Sequence, residues 1–81
     1  MKNYNEIESE LARIISEVTG NSFDNIADKN FYEDMGFDSV SIIELLVSIE
    51  ERYDINLGND LMDSLYSCDK LIKLIMEKVN D

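Results

Sequence analysis

The chain has 81 residues, of which 44% are hydrophobic and 31% charged, so we expect residues 1–81 to form a single small domain with its own core. It has no histidine and one cysteine, Cys68, which excludes an internal disulfide, a Cys/His metal cluster and a histidine-activated nucleophile. Eighteen acidic against seven basic residues give a net charge of −11. This charge argues against a nucleic-acid partner and favours a protein partner with a basic surface.

The acidic residues are distributed unevenly. Nine of them lie between Glu33 and Asp63, where Arg52 is the single base, so this stretch has a net charge of −8. Acidic surface commonly serves solubility alone, but its concentration in one stretch favours a docking face for a basic partner.

The first predicted helix covers about residues 5–18. Apolar residues recur there at helical spacing and form one stripe: Ile7, Leu11, Ile14, Ile15 and Val18. Asn3 or Asn5 is the predicted N-cap, and Gly20 suits the C-terminal end of the helix.

Residues 21–38 show no sustained helical period, and we expect an ordered loop. The apolar side chains that hold it to the helices are Phe23, Ile26, Phe31, Met35 and Phe37. The span from Asp28 to Ser39 has the length of a calcium loop. No metal site is predicted, because Glu33 replaces the required glycine and Ser39 the required glutamate.

The second predicted helix, from about Ser39 to Tyr53, has two apolar faces. The face assigned to the core consists of Ile42, Leu45, Leu46, Ile49 and Tyr53. The second, centred about 130° away, is called the apolar strip and consists of Val40, Ile43 and Val47; Glu50 flanks it on one side and Glu44 and Glu51 on the other. Such a strip fits either a helix buried on two sides or an exposed partner-binding face.

The C-terminal part follows Gly58. Asn59 or Asp60 can cap a short third helix that carries Leu61, Met62 and Leu65. Ser67 can cap a last helix, near whose start Cys68 is expected to be a structural residue, with a buried stripe of Leu71, Ile72, Ile75 and Val79. The fold class is therefore all-α: a small four-helix bundle with a long ordered loop between helices 1 and 2 and a short third helix.

Ser39 has two interpretations. A serine after an aspartate at a helix start is most often a cap. Alternatively, Gly36 permits a sharp turn and leaves room for a large adduct, and a phosphodiester on Ser39 would lie at the positive end of the helix.

The stretch Asp-Met-Gly-Phe-Asp-Ser-Val at residues 34–40, followed by Glu44-Leu45 and by Ile-Glu-Glu-Arg-Tyr at 49–53, resembles the acyl carrier proteins. The resemblance covers nearly the whole chain. It implies that a magnesium-dependent phosphopantetheinyl transferase (holo-ACP synthase) transfers 4'-phosphopantetheine from coenzyme A to Ser39, with Gly36 and Asp38 supporting the site. The resemblance also implies that one face of the second helix binds partner enzymes: Asp38, Val40, Ile43, Glu44, Val47, Glu50 and Glu51.

We therefore expect a non-catalytic, monomeric, cytoplasmic carrier of acyl thioesters in fatty acid or related acyl-chain biosynthesis. No membrane span is predicted, since no apolar run is long enough. The implied partners are acyl-loading, condensing and acyl-processing enzymes with basic docking patches.

Other functions stay open. Val40 stands where the family usually has leucine, and Ser41 stands where many fatty-acid carriers have an acid, which leaves room for a specialised pathway. The alternatives are a carrier of aminoacyl or D-alanyl units, a carrier of polyketide or nonribosomal peptide units and, in another class, an acidic helical adaptor that binds a basic partner. Peptidyl carriers typically have Gly-Gly-His-Ser where this chain has Gly-Phe-Asp-Ser, which argues against that subgroup.

Overall fold

The computed structural model describes residues 2–58, 60 and 64–80, and this part of the chain is helical and contains no β-strand. Helix α1 spans Tyr4–Thr19, α2 spans Ser39–Tyr53 and α3 spans Cys68–Val79, with a short 3-10 turn at Ile26–Asp28. None of these helices combines the length and the apolar character needed to cross a membrane.

The bounds predicted for the first two helices and the position of the last helix are confirmed. Of the predicted short third helix, Leu61, Met62 and the candidate cap Asn59 lie outside the described residues, whereas Leu65 is described and is buried in the core. The four-helix arrangement therefore stays a prediction.

Helix α1 begins and ends as its sequence predicts. The Asn3 side chain accepts a hydrogen bond from the Glu6 N–H at 2.9 Å, and the Glu6 carboxylate accepts one from the Asn3 N–H at 3.3 Å. This capping box satisfies backbone donors that have no partner inside the helix. Gly20 ends the helix in the left-handed conformation, with φ 76°, which glycine adopts without strain.

Helix α3 begins at the predicted place but without the predicted capping bond. Ser67 occupies the N-cap position, but its side chain makes no capping hydrogen bond, so its predicted capping role is wrong. Loop and α1 groups hold the helix start instead: the Cys68 N–H donates to the Lys29 carbonyl at 3.1 Å, and the Tyr4 hydroxyl donates to the Asp69 carboxylate. These tertiary contacts stabilise the helix start without a serine bond.

Helix α1 packs against both α2 and α3, and its buried stripe forms the centre of the core. The helices contribute Ile7, Leu11, Ile14, Ile15, Ile42, Leu45, Ile49, Leu71, Ile72 and Ile75. Four further predicted positions, Val18, Leu46, Tyr53 and Val79, are partly buried against this cluster. The core therefore uses one face of each of the three helices.

The loop between α1 and α2 is ordered, as predicted. Its buried side chains are Ile26, Phe31, Met35 and Phe37, while Phe23 is partly buried against the same core. The loop therefore packs as part of the core and brings the chain to the start of α2 in a fixed position.

A polar contact connects α2 to α1, and the segment before α1 binds the same carboxylate. The Tyr53 hydroxyl donates to Glu10 at 2.6 Å, and Lys2 forms an ion pair with the same carboxylate at 2.8 Å. The hydrogen bond from Lys2, together with that from Tyr53, lowers the pKa of Glu10. The Tyr53 bond fixes the C-terminal end of α2 against α1 and helps to set which face of α2 points outward.

Cys68 is fully buried at the first position of α3, in agreement with the prediction of a structural residue. Burial raises the pKa of its thiol to about 12. The thiol is therefore protonated at neutral pH, and the thiolate is the form that reacts.

Candidate functional site

Asp38, and not Ser39, is the N-cap of α2. Its carboxylate accepts a hydrogen bond from the Ser41 N–H at 2.9 Å, and its own N–H donates to the Ser41 hydroxyl at 2.8 Å. This reciprocal pair is a capping box in which serine takes the place of the usual glutamate. The interpretation of Ser39 as the cap is therefore wrong, because Asp38 already caps the helix.

Ser39 is the first residue of α2 and is exposed. Its hydroxyl takes part in none of the side-chain hydrogen bonds found in residues 2–58, 60 and 64–80. The backbone hydrogen bond from Ser41, with a smaller effect of its hydroxyl, lowers the pKa of Asp38, so this carboxylate is ionised at neutral pH. A free serine hydroxyl thus lies at a helix N-terminus, where the macrodipole favours an anion.

Gly36 turns the chain into α2. Its φ is 71°, in the left-handed region that favours glycine, and a side chain placed there would have no heavy atom within 4 Å. The predicted sharp turn is confirmed. The space beside Gly36 is open, so the requirement for glycine comes from the backbone conformation and not from crowding.

Phe37 anchors the turn between Gly36 and Ser39. Its ring meets that of Phe31 edge to face, with centroids 5.3 Å apart, and its N–H donates to the Phe31 carbonyl at 2.9 Å. Asn30 and Asp34 close the preceding turn, and this pair was not identified from the sequence. The Asp34 carboxylate accepts a hydrogen bond from the Asn30 N–H at 2.7 Å, and the Asn30 side chain accepts one from the Glu33 N–H at 3.0 Å. The spacing of an asparagine and an aspartate four residues apart is the signal that could have revealed it.

The apolar strip is exposed. Val40 is 63% exposed, Ile43 60% and Val47 46%, so the interpretation of α2 as a helix buried on two sides is wrong. The flanking carboxylates of Glu44 and Glu51 are exposed as well. Ser39, the strip and these carboxylates therefore lie on one helix.

Glu50 differs from the other flanking acids. It is half-buried, and its carboxylate accepts a hydrogen bond from the Leu57 N–H at 2.9 Å. This bond fixes the chain after Asp54, which ends α2 in the left-handed conformation with φ 54°. Sequence spacing placed Glu50 beside the strip but gave no indication of this structural contact.

Tyr32 and Tyr66 form an exposed aromatic pair that was also missed. Their ring centroids are 6.0 Å apart, and the Phe31 N–H donates to the Leu65 carbonyl at 3.3 Å, next to the pair. The pair joins the loop to the segment before α3, a contact that no local pattern could indicate.

Comparison with known proteins identifies the family. A family model described as "Phosphopantetheine attachment site" matches residues 9–75. An acyl carrier protein of Akkermansia muciniphila is 36% identical over 76 residues, covering 93% of this chain and 94% of that protein. Acyl carrier proteins of Guillardia theta and Buchnera aphidicola are 32% and 31% identical, covering 95% and 91% of this chain and 96% and 95% of their own lengths. The chain therefore belongs to the acyl carrier protein family and contains its phosphopantetheine attachment domain.

Proposed function

We propose that the protein is a non-catalytic acyl carrier and that Ser39 is the residue to which 4'-phosphopantetheine is attached. The observation that carries this proposal is that the residues that cap α2 are not the serine that is exposed at its start. Asp38 and Ser41 form the cap, so the exposed Ser39 hydroxyl has no structural partner among the described residues. The helix N-terminus favours the negative charge of a phosphodiester at that position.

The surroundings of Ser39 fit such a group. The space beside Gly36 is open, and the fixed loop holds the serine at the surface. When attached, 4'-phosphopantetheine supplies a thiol that carries acyl groups as thioesters. During attachment the Ser39 oxygen loses its proton and bonds to the phosphorus that carries pantetheine, while the pyrophosphate bond of coenzyme A breaks and adenosine 3',5'-bisphosphate leaves. Because the chain has no histidine, we propose that the transferase supplies the base that takes the proton.

The apolar strip and the carboxylates around it are proposed as the docking face for the transferase and for acyl-loading, condensing and acyl-processing enzymes. Apolar anchors of 46–63% exposure within a charged rim are typical of such interfaces. Asp38, Glu44 and Glu51 offer their charges to a basic partner. Glu50 contributes through the position of α2, since its carboxylate is bonded to Leu57.

The wider assignments are part of the same proposal. Residues 1–81 form one monomeric carrier domain, with the four-helix arrangement of the predicted bundle, and its cargo is acyl intermediates of fatty acid or related acyl-chain biosynthesis. Support comes from the shared core of α1, α2, α3 and the loop, and from the names of the relatives. A cytoplasmic location stays a prediction.

The attachment is tested by mass spectrometry after incubation with coenzyme A, magnesium and a broad-specificity phosphopantetheinyl transferase. We expect the wild type to gain one phosphopantetheine and Ser39→Ala to gain none. Ser9→Ala, which changes an exposed serine on α1 outside the proposed docking face, is the matched control and should be modified like the wild type. An unmodified wild type would overturn the proposal in favour of an acidic adaptor, and a modified Ser39→Ala would place the group elsewhere.

The cargo is tested on protein isolated from its native cells. Release of the thioester and identification of the acid distinguishes a fatty acyl chain from an aminoacyl, D-alanyl or polyketide unit. A fatty acyl or related chain is the expected result. An amino acid would move the protein to a different carrier subgroup.

A further inference from the structure

A shallow cavity of about 410 Å³ lies beside the apolar strip, between α1 and α2. Two members of the strip, Ile43 and Val47, form part of its lining, and the whole lining is Glu17, Val18, Ile43, Glu44, Val47 and Ser48. The apolar surface of the strip therefore continues across to α1, with a carboxylate from each helix at the cavity.

Glu17 is unfavourably placed for the stability of α1. It lies in the last turn of a helix that ends at Thr19, and that turn contains no basic residue. A carboxylate at a helix C-terminus is disfavoured by the macrodipole. Residues that break such a local rule are expected at functional positions, and Glu17 lines the cavity that continues the strip.

We propose that this cavity receives an arginine or lysine side chain of a partner enzyme, the phosphopantetheinyl transferase included. The proposal deepens the docking function proposed above: it adds α1 to the docking face and makes Glu17 a specificity residue. Arginine and lysine have an apolar stem and a charged end. The stem covers Val18, Ile43 and Val47, and the charged end pairs with Glu17 and Glu44.

Charge complementarity selects this occupant over a purely apolar one. The cavity contributes two carboxylates and no base, in a chain with a net charge of −11. An aliphatic side chain would leave both carboxylates without a partner and close to apolar surface, whereas a cation pairs with both.

The first experiment measures steady-state kinetics of phosphopantetheine transfer with Glu17→Gln and with Glu77→Gln as the matched control. Glu77 is an exposed glutamate on α3, so its variant has the same change in charge. We expect Glu17→Gln to raise the KM for the carrier about twofold to fivefold at low salt, with kcat unchanged and no fall in Tm. The difference should shrink at high salt. Equal KM values for the two variants overturn the proposal.

The second experiment does not depend on attachment to Ser39. N-butylguanidinium, which has an apolar stem and a cation, is titrated into the protein while the methyl NMR signals of Val18, Ile43 and Val47 are followed. We expect saturable shifts in the wild type and in Glu77→Gln, and weaker ones in Glu17→Gln, with smaller effects from guanidinium or butanol alone. Unmoved methyl signals, or equal shifts in Glu17→Gln, overturn the cavity assignment. An unmodified wild type in the transfer assay overturns the carrier function, and the titration still decides the cavity.

Discussion

The two apolar faces of α2 contain similar side chains at very different exposure. Ile42, Leu45 and Ile49 are at most 7% exposed, whereas Val40, Ile43 and Val47 are 46–63% exposed. Both sets follow helical spacing, so periodicity alone does not separate core from surface. The exposed carboxylates of Glu44 and Glu51 beside the second set agree with a solvated face, because charged side chains are almost never fully buried unless paired.

Alanine substitutions on the two faces give the largest expected difference. Leu45→Ala should lower the free energy of unfolding by about 2–5 kcal/mol, because it leaves a cavity in the core. Val47→Ala, on the strip, should change it by no more than about 0.5 kcal/mol. Urea denaturation followed by circular dichroism measures both values. A large loss for Val47→Ala would mean that the strip is covered in solution.

Substitutions on the strip should affect the affinity for a partner enzyme more than they affect stability. Ile43→Ala removes an exposed anchor of the proposed docking face, and we expect the KM for the phosphopantetheinyl transferase to rise about fivefold to thirtyfold. The stability of this variant should stay close to that of the wild type. Ser9→Ala, at an exposed position of α1 outside the proposed docking face, is the control. A KM equal to that of the control would remove Ile43 from the docking face.

The charges around the strip should make stability depend on salt. Nine acids and one base lie between residues 33 and 63, and such an excess of like charge is expected to disfavour the compact state. Added NaCl or millimolar magnesium should therefore raise the Tm; a gain of about 1 kcal/mol corresponds to roughly 4–8 °C in a domain of this size. Differential scanning calorimetry measures the shift, and a fall in Tm would mean that these charges are already balanced.

The smallest expected effect on stability comes from Asp38 at the N-terminus of α2. The folded-state pKa of Asp38 is below its ordinary value of 3.8, so the unfolded chain binds the proton more tightly. The stabilising effect of this carboxylate is complete above pH 3.8 and is lost as the pH falls through the lower folded pKa. Asp38→Asn keeps a capping side chain but cannot titrate.

Urea midpoints of Asp38→Asn and the wild type should therefore differ at neutral pH and converge in acid. Circular dichroism at several pH values measures the convergence. A difference that persists below the folded pKa would attribute the effect to the shape of the side chain and not to its charge.

The sequence predicted much of this arrangement because its signals are local. The limits of α2 and the Asn3 cap follow from residues within a few positions of one another. Spacing left the strip either buried or exposed, and the resemblance to acyl carrier proteins favoured the exposed arrangement that the structure has. Contacts between distant segments were not predictable. The Glu50 bond to Leu57, the Cys68 bond to Lys29 and the cavity beside Glu17 depend on how the loop and α1 pack.

The start of α2 was predictable only in part. Asp38, Ser39 and Ser41 all have side chains that suit a helix start, and composition alone does not choose among them. The Gly36 turn and the buried Phe37 fix the chain direction so that Asp38 reaches the N-cap position. The capping role of Asp38 therefore became clear from the geometry of the turn.

The burial of Cys68 has a practical consequence for chemical labelling. With a thiol pKa of about 12 and no solvent exposure, the side chain should resist alkylation under native conditions. A maleimide probe added to folded protein that carries the prosthetic thiol would then report that thiol alone. The wild-type sequence thus serves as its own background-free reporter, without removal of its cysteine.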